Sequence, residues 1–168
     1  MALRQVRLKG DPILGKKAKI VPEITPAIIQ LLEDMKQTMD EKEGVGIAAP
    51  QVGILRRIAL VAHEDEFYEL INPEIIAEEG TQDCNEACLS VENLCGDVQR
   101  PYKITVKAMD RHGETYTAEF EEFMTSVVCH ELDHLDGIIF TDKAVNIRPL
   151  DEEEREKRRR RRRKVKRT

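Results

Sequence analysis

His130-Glu131-Leu132-Asp133-His134, preceded by Phe123 and Val127 and followed by Gly137, organises the rest of the chain. Two histidines four residues apart lie one turn above each other on a single helical face, so both imidazoles can reach one metal ion. Phe123 and Val127 share that face, so the histidines point along the apolar side, into the protein. A buried imidazole without a partner is costly, whereas a metal-bound one is satisfied. Glu131 lies about 100° round the helix from His130 and can reach over a metal without ligating it. The competing reading is a surface helix with two chance histidines. With four histidines in the whole chain, two of them on the apolar side of one helix count against it. His63 and His112 have no such context and read as solvated. This helix is expected to begin near Glu121 and to stop at Gly137.

Two histidines need further ligands. A cysteine thiolate would complete three protein ligands and leave one tetrahedral position to water, the arrangement of a catalytic centre. A closed structural site would need four protein ligands. The cysteines stand at Cys84, Cys88, Cys95 and Cys129, with no C-x-x-C knuckle of the usual zinc kind, which argues against that alternative. Spacing alone does not choose which cysteine is the ligand. The glycine- and alanine-rich run GVGIAAPQVG, Gly44 to Gly53, allows backbone to approach another backbone or a ligand closely. It lacks the glycine pattern and lysine of phosphate-binding loops. Gln51 is the one polar residue in its apolar centre, and a buried amide needs partners.

Working outward, a helix is expected from about Thr25 to Lys42. Thr25 is a good N-cap, Pro26 suits the first helical position, and Ile24 with Ile29 can staple the entry. Ile28, Leu32, Met35 and Met39 form one apolar stripe, and Gly44 supplies the stop. Arg57 to Ala62, Tyr68 to Ile71 and Ile104 to Met109 are β-rich runs, and Arg111 to Glu114 reads as a hairpin turn into a return strand from Thr115 to Phe120. The fold class is therefore α+β: antiparallel β-sheets around a central helix that carries the two histidines, with a C-terminal helix. With 168 residues the chain fits one domain, residues 1–150, and a basic C-terminal helix or tail, 151–168, that is not a separate domain. Of the 27 Lys/Arg, eleven lie from Asp151 onward, against five of the 32 Asp/Glu, so an acidic body carries a basic tail. Its acids come first and the run Arg158 to Lys164 later, the order a helix dipole favours, with Asp151–Arg155, Glu153–Lys157 and Glu154–Arg158 as i,i+4 pairs. A helix is expected over Asp151 to Arg167, at least in part. No apolar run approaches a membrane span and the N-terminus shows no signal core, so a cytoplasmic location is expected. A reducing compartment turns the cysteines towards thiol or metal chemistry.

GVGIAAPQVG, EACLS (Glu86 to Ser90) and CHELDH (Cys129 to His134), in this order, resemble the three motifs of the peptide deformylases. Asp11-Pro12-Ile13-Leu14, Ile71-Asn72-Pro73 and Val98-Gln99-Arg100-Pro101 add to the likeness, which spans nearly the whole chain. The resemblance implies a metal hydrolase that removes the formyl group from the N-terminal formylmethionine of nascent polypeptides and releases formate. It makes Cys88, His130 and His134 the metal ligands and Glu131 the general acid/base as metal-activated hydroxide attacks the formyl carbon. Gln51 and the backbone N–H of Leu89 become donors to the formyl oxygen, and Gly46 binds substrate through its backbone. It implies one Fe2+ per chain, with Zn2+, Ni2+ or Co2+ as alternatives; separately, a monomer is expected. Resemblance to tailed deformylases implies a ribosome or ribosomal RNA contact through the basic tail, 155–168.

Three departures from the family pattern stand out, one of them a pair of residues. Ala87 stands where glycine is usual, and a backbone with positive φ there would cost alanine about 1 kcal/mol. Glu92-Asn93 replaces a Pro-Gly-like pair beside the expected channel, and Cys129 replaces a common glutamine and is assigned to packing. A zinc metallopeptidase shares the two-histidine motif; no histidine follows His134 to serve as its third ligand, and a downstream carboxylate in that place would leave EACLS without a role. An RNA-binding protein with a structural metal would leave Glu131 dispensable.

Overall fold

The computed structural model describes residues 2–166, with side chains described to residue 161. Helix α1 (Pro26–Glu41) begins where expected, the Thr25 side chain accepting the Ile28 N–H at 3.3 Å. Leu32, Met35 and Met39 are buried on its inner face, and Ile24, Ile28 and Ile29 pack half-buried against the same cluster. Its end differs from expectation. Glu43, not Gly44, takes the left-handed conformation (φ 56°). The Gly44 N–H donates to Met39 C=O at 2.9 Å and the Glu43 N–H to Asp40 C=O at 3.1 Å, a Schellman closure.

The strands are β1 (Gly46–Ala48), β2 (Ile58–His63), β3 (Glu66–Glu79), β4 (Gln82–Cys88), β5 (Val91–Arg100), β6 (Lys103–Met109), β7 (Thr115–Glu121) and β8 (Val145–Pro149). They form two antiparallel sheets, ordered β1-β2-β3-β6-β7 and β4-β5-β8. The expected run Tyr68 to Ile71 is the middle of the much longer β3. That strand continues past Asn72-Pro73 because register shifts between Ile71 and Glu74 absorb the interruption. Asn72, at φ 51°, uses its amide to accept the Val21 N–H (2.8 Å) and to donate to Val21 C=O (2.9 Å), pinning the N-terminal segment.

Helix α2 (Glu122–Leu135) carries the paired histidines through the middle of the molecule, and from Met124 to Leu132 every residue is buried. It ends as expected: Gly137 sits at φ 76°, and the Ile138 N–H donates to Asp133 C=O at 2.9 Å. Strand β2 explains why its sequence is apolar without alternation. Ala59 and Val61 face the cluster shared with α2, while Ile58, Leu60 and Ala62 face the cluster under α1. The larger sheet is thus covered on both faces by helices.

Helix α3 (Glu152–Lys166) begins at Asp151, whose side chain accepts the Glu154 N–H at 2.8 Å. The expected Glu153–Lys157 pair forms at 3.2 Å. Arg155 instead turns to Leu150 C=O and Asn93, and Arg158 donates to Asn85 Oδ1 at 2.7 Å. The expected helix end at Arg167 lies outside the described residues. Among the described residues no helix is long and apolar enough to cross a membrane.

Candidate metal centre and active site

Strand β4 delivers Cys88 and helix α2 delivers His130 and His134 to one point. Their ligand atoms all lie within 4.8 Å of one another, and Cys88 Sγ is 3.4 Å from His134 Nε2. Among the described residues this is the one such grouping of His, Cys and acidic side chains. Of the four cysteines, Cys88 is the one whose sulfur meets the two histidines. Cys95 and Cys129 are buried in other surroundings, and burial pushes the Cys129 thiol up to about 12, as a packing role requires. Both histidines are buried; His112 is exposed as expected, but His63 is half-buried with its ring 4.9 Å from that of Phe123.

The donor set fits a divalent transition ion. One sulfur and two imidazole nitrogens suit iron, zinc, nickel or cobalt. The two histidines are shifted in opposite directions from the ordinary imidazole value. Burial disfavours charge on both, yet Cys88 and Glu86 outweigh burial at His130 and hold it well above the ordinary value. At His134, burial and the nearby His130 and Arg100 charges hold it well below. His134 Nδ1 and Glu131 Oε2 are buried without a hydrogen-bond partner in the described protein.

Glu131 is buried on α2 directly against the backbone of Gly46. A Cβ built at Gly46 would stand 2.7 Å from Glu131 Oε1 and 2.9 Å from its Cγ, so only glycine lets β1 lie there. Burial, opposed by the His130 charge, raises the Glu131 carboxyl to about 7. Gln51 finds the partners that a buried amide needs. Its Oε1 accepts the Ala48 N–H at 2.9 Å, which aims Nε2 at Ser90 Oγ (3.1 Å) and Cys88 Sγ (3.5 Å). Leu89 occupies the turn between β4 and β5. A cavity of about 430 Å³ joins Gly46, Gln51, Cys88, Leu89, His130 and Glu131, with Val45, Phe123 and Val127 among its apolar lining.

Sequence reasoning missed what holds the ligands. Glu86 Oε1 lies 2.9 Å from His130 Nδ1, fixing that ring so that Nε2 is left for a ligand role. Arg100 grips Glu86 through two nitrogens, at 2.7 and 2.8 Å, and Asp133 through a third, at 2.7 Å. Glu86 and Arg100 are each 4% exposed. Burial alone would raise the Glu86 carboxyl, but hydrogen bonds from Arg100 and His130 hold it below the usual range. The available signals were Glu86 standing two residues from Cys88 in a motif already singled out, and Arg100 within the Val98 to Pro101 segment.

The polypeptide deformylase family model matches residues 3–150. This chain belongs to that family. It is 50% identical over 153 residues to the peptide deformylase of Thermoanaerobacter pseudethanolicus, covering 91% of this chain and 95% of that one. The crystal structure of peptide deformylase from Thermotoga maritima superposes with a TM-score of 0.84 at 34% identity, covering 86% of this chain and 99% of the other. That of a peptide deformylase from Legionella pneumophila gives 0.82 at 34% identity and covers 99% of this chain and 96% of the other.

Against the family pattern, the departures take definite shapes. Ala87 is not among the described residues with positive φ, so alanine meets no left-handed strain there. Asn93 is among them, at φ 60°, a conformation asparagine tolerates better than most side chains. Its C=O accepts the Leu150 N–H at 2.9 Å and its Oδ1 accepts from Arg155 at 3.3 Å. In this chain Asn93 therefore fastens the C-terminal segment beside the cavity.

Proposed function

We propose that Cys88, His130 and His134 hold one divalent ion, natively Fe2+, and that the chain removes the formyl group from the N-terminal formylmethionine of nascent polypeptides, releasing formate. The observation that carries this reading is the convergence of one sulfur and two imidazoles beside a buried carboxyl with an unpartnered oxygen. An ion in this cradle supplies Lewis acidity and makes hydroxide available from water near neutral pH. Glu131 takes the water proton and passes it to the departing amine, a task suited to a carboxyl raised towards neutrality. Gln51 Nε2 and the Leu89 N–H donate to the formyl oxygen as it gains charge. The bond from Ala48 has already oriented the Gln51 amide, so little reorganisation remains. Gly46 binds the substrate main chain next to Glu131, and Val45, Phe123 and Val127 receive the methionine side chain.

Residues 1–150 are the catalytic domain, a reading supported by the extent of the family match, and 151–168 form an appendage. The chain acts as a cytoplasmic monomer. The outer face of α3 docks on ribosomal RNA, raising local substrate concentration. The metallopeptidase alternative leaves the Cys88 sulfur without a role.

The test is formate release from a formylmethionyl peptide by protein loaded in turn with Fe2+, Zn2+, Ni2+ or Co2+, with metal content measured. One ion per chain and formate release are expected, and peroxide should inactivate the iron form faster than the zinc or nickel forms. Metal-replete protein that releases no formate would refute the activity. Equal peroxide lifetimes would refute iron as the vulnerable native ion.

A further inference from the structure

Arg155, Arg158 and Arg161 stand at three-residue steps and form one stripe along α3. That stripe faces the body. Arg155 donates to Asn93 Oδ1 at 3.3 Å, Arg158 to Asn85 Oδ1 at 2.7 Å, and the Arg161 guanidinium lies over the Phe123 ring, 4.5 Å from its centroid. The stripe thus crosses from the β5 side to the α2 side, and Arg158 and Arg161 line the same cavity as Cys88, His130 and Glu131. Among the described side chains, Arg159 and Arg160 are occupied within the helix itself. Arg159 pairs with Glu152 and Glu156, and Arg160 with Glu156. Arg161 has no carboxylate partner among the described residues, while the ring contact holds its guanidinium at the cavity rim.

We infer that α3 forms one wall of the substrate cleft and that Arg161 pairs with a carboxylate side chain of the substrate peptide beyond its methionine. This rests on the deformylase reading and deepens it. With the formyl group at Gln51 and the methionine against Val127, the residues that follow run along the remaining lining, whose cationic part is Arg158 and Arg161. Arg158, tied to Asn85, sets the height of the wall, and Arg161 is the specificity-determining residue. Low-dielectric walls focus the field of such a charge on an anion in the cleft. Glu92, an exposed acid of the same lining, repels an acidic residue on its own side. The preference is therefore confined to peptide positions that reach α3. The chemical class is an acidic peptide segment.

The experiment measures kcat/KM at low salt for metal-loaded full-length protein. Its substrates are formylmethionyl peptides carrying Ala, Glu or Lys at each of the three positions after methionine. At one position Glu should exceed Ala by about two- to fivefold, through KM, and the ratio should fall with added salt. Arg161→Gln should bring that ratio to about one, Arg161→Lys should retain part of it, and Arg159→Gln should retain all of it. No preference for Glu at any position, or a preference that survives Arg161→Gln, would overturn the inference. Failure to release formate from the alanine peptide would overturn the underlying activity and the inference together.

Discussion

Gly46 and Glu131 define each other: a backbone without a side chain lets β1 run against the carboxyl, and the buried carboxyl is held in place by that backbone. Gly46→Ala would place a methyl 2.7 Å from Glu131 Oε1 and displace the carboxylate while Cys88, His130 and His134 stay together. We expect kcat/KM to fall by about 10²-fold, the cost of misplacing a catalytic group by roughly an ångström, with metal content unchanged by elemental analysis. Normal kcat/KM would show that the contact does not position Glu131. Cysteine choice also belongs to this scale. The sequence spacing left four candidates, because which thiol meets α2 depends on the pairing of β4 with β5 and on the docking of both against a distant helix. Single Cys→Ala changes should abolish metal binding at Cys88 only, leaving at least most of it at Cys84, Cys95 and Cys129. Metal loss at Cys84 or Cys95 would point to a different ligand set.

Elements with a strong local signature were legible. The Thr25–Pro26 start of α1 and the Gly137 stop of α2 were read correctly, because caps are short-range physics. The stop of α1 was misplaced by one residue. Glycine is the usual occupant of the left-handed position, yet here Glu43 takes it and Gly44 follows, where a Cβ would stand only 3.1 Å from Leu89 Cδ1. Strands β4, β5 and β8 left little trace, since Gln82–Cys88 is mostly polar and β8 is exposed along its whole length. Nor did the ion cluster joining these elements show itself, because burial of Glu86 and Arg100 is a tertiary property that residue type argues against. Arg100 ties β5 to β4 through Glu86 and to α2 through Asp133. Arg100→Leu leaves Glu86 buried and without that partner, so it should destabilise the fold by about 3–5 kcal/mol. With His130 no longer held by a fixed Glu86, metal affinity should fall by roughly 10- to 100-fold. Urea unfolding and competition with a chelator would measure the two effects, and wild-type values in both would dismiss the cluster as a support.

The whole molecule divides its charge, an acidic body carrying a basic helix, and α3 divides it again between a stripe facing the cavity and an outer face bearing Arg159 and Arg160. On the proposed docking, it is the outer face that would meet ribosomal RNA. Binding of the intact protein to ribosomes should weaken steeply with salt, and Arg159→Ala with Arg160→Ala should lower the logarithmic salt slope by about one per lost phosphate contact. Salt-independent binding, or equal affinity after deletion of 151–168, would refute the docking role. Beneath both faces lies the claim on which the account depends, that a metal held by Cys88, His130 and His134 works with Glu131 to hydrolyse a formyl amide. The most direct measurement is formate release from a formylmethionyl peptide by Glu131→Gln protein whose metal content equals that of the wild type. The account predicts one bound ion and a turnover lowered by about 10²-fold or more, because an amide of the same shape cannot exchange the proton. Near-normal formate release from that metal-replete variant would contradict it.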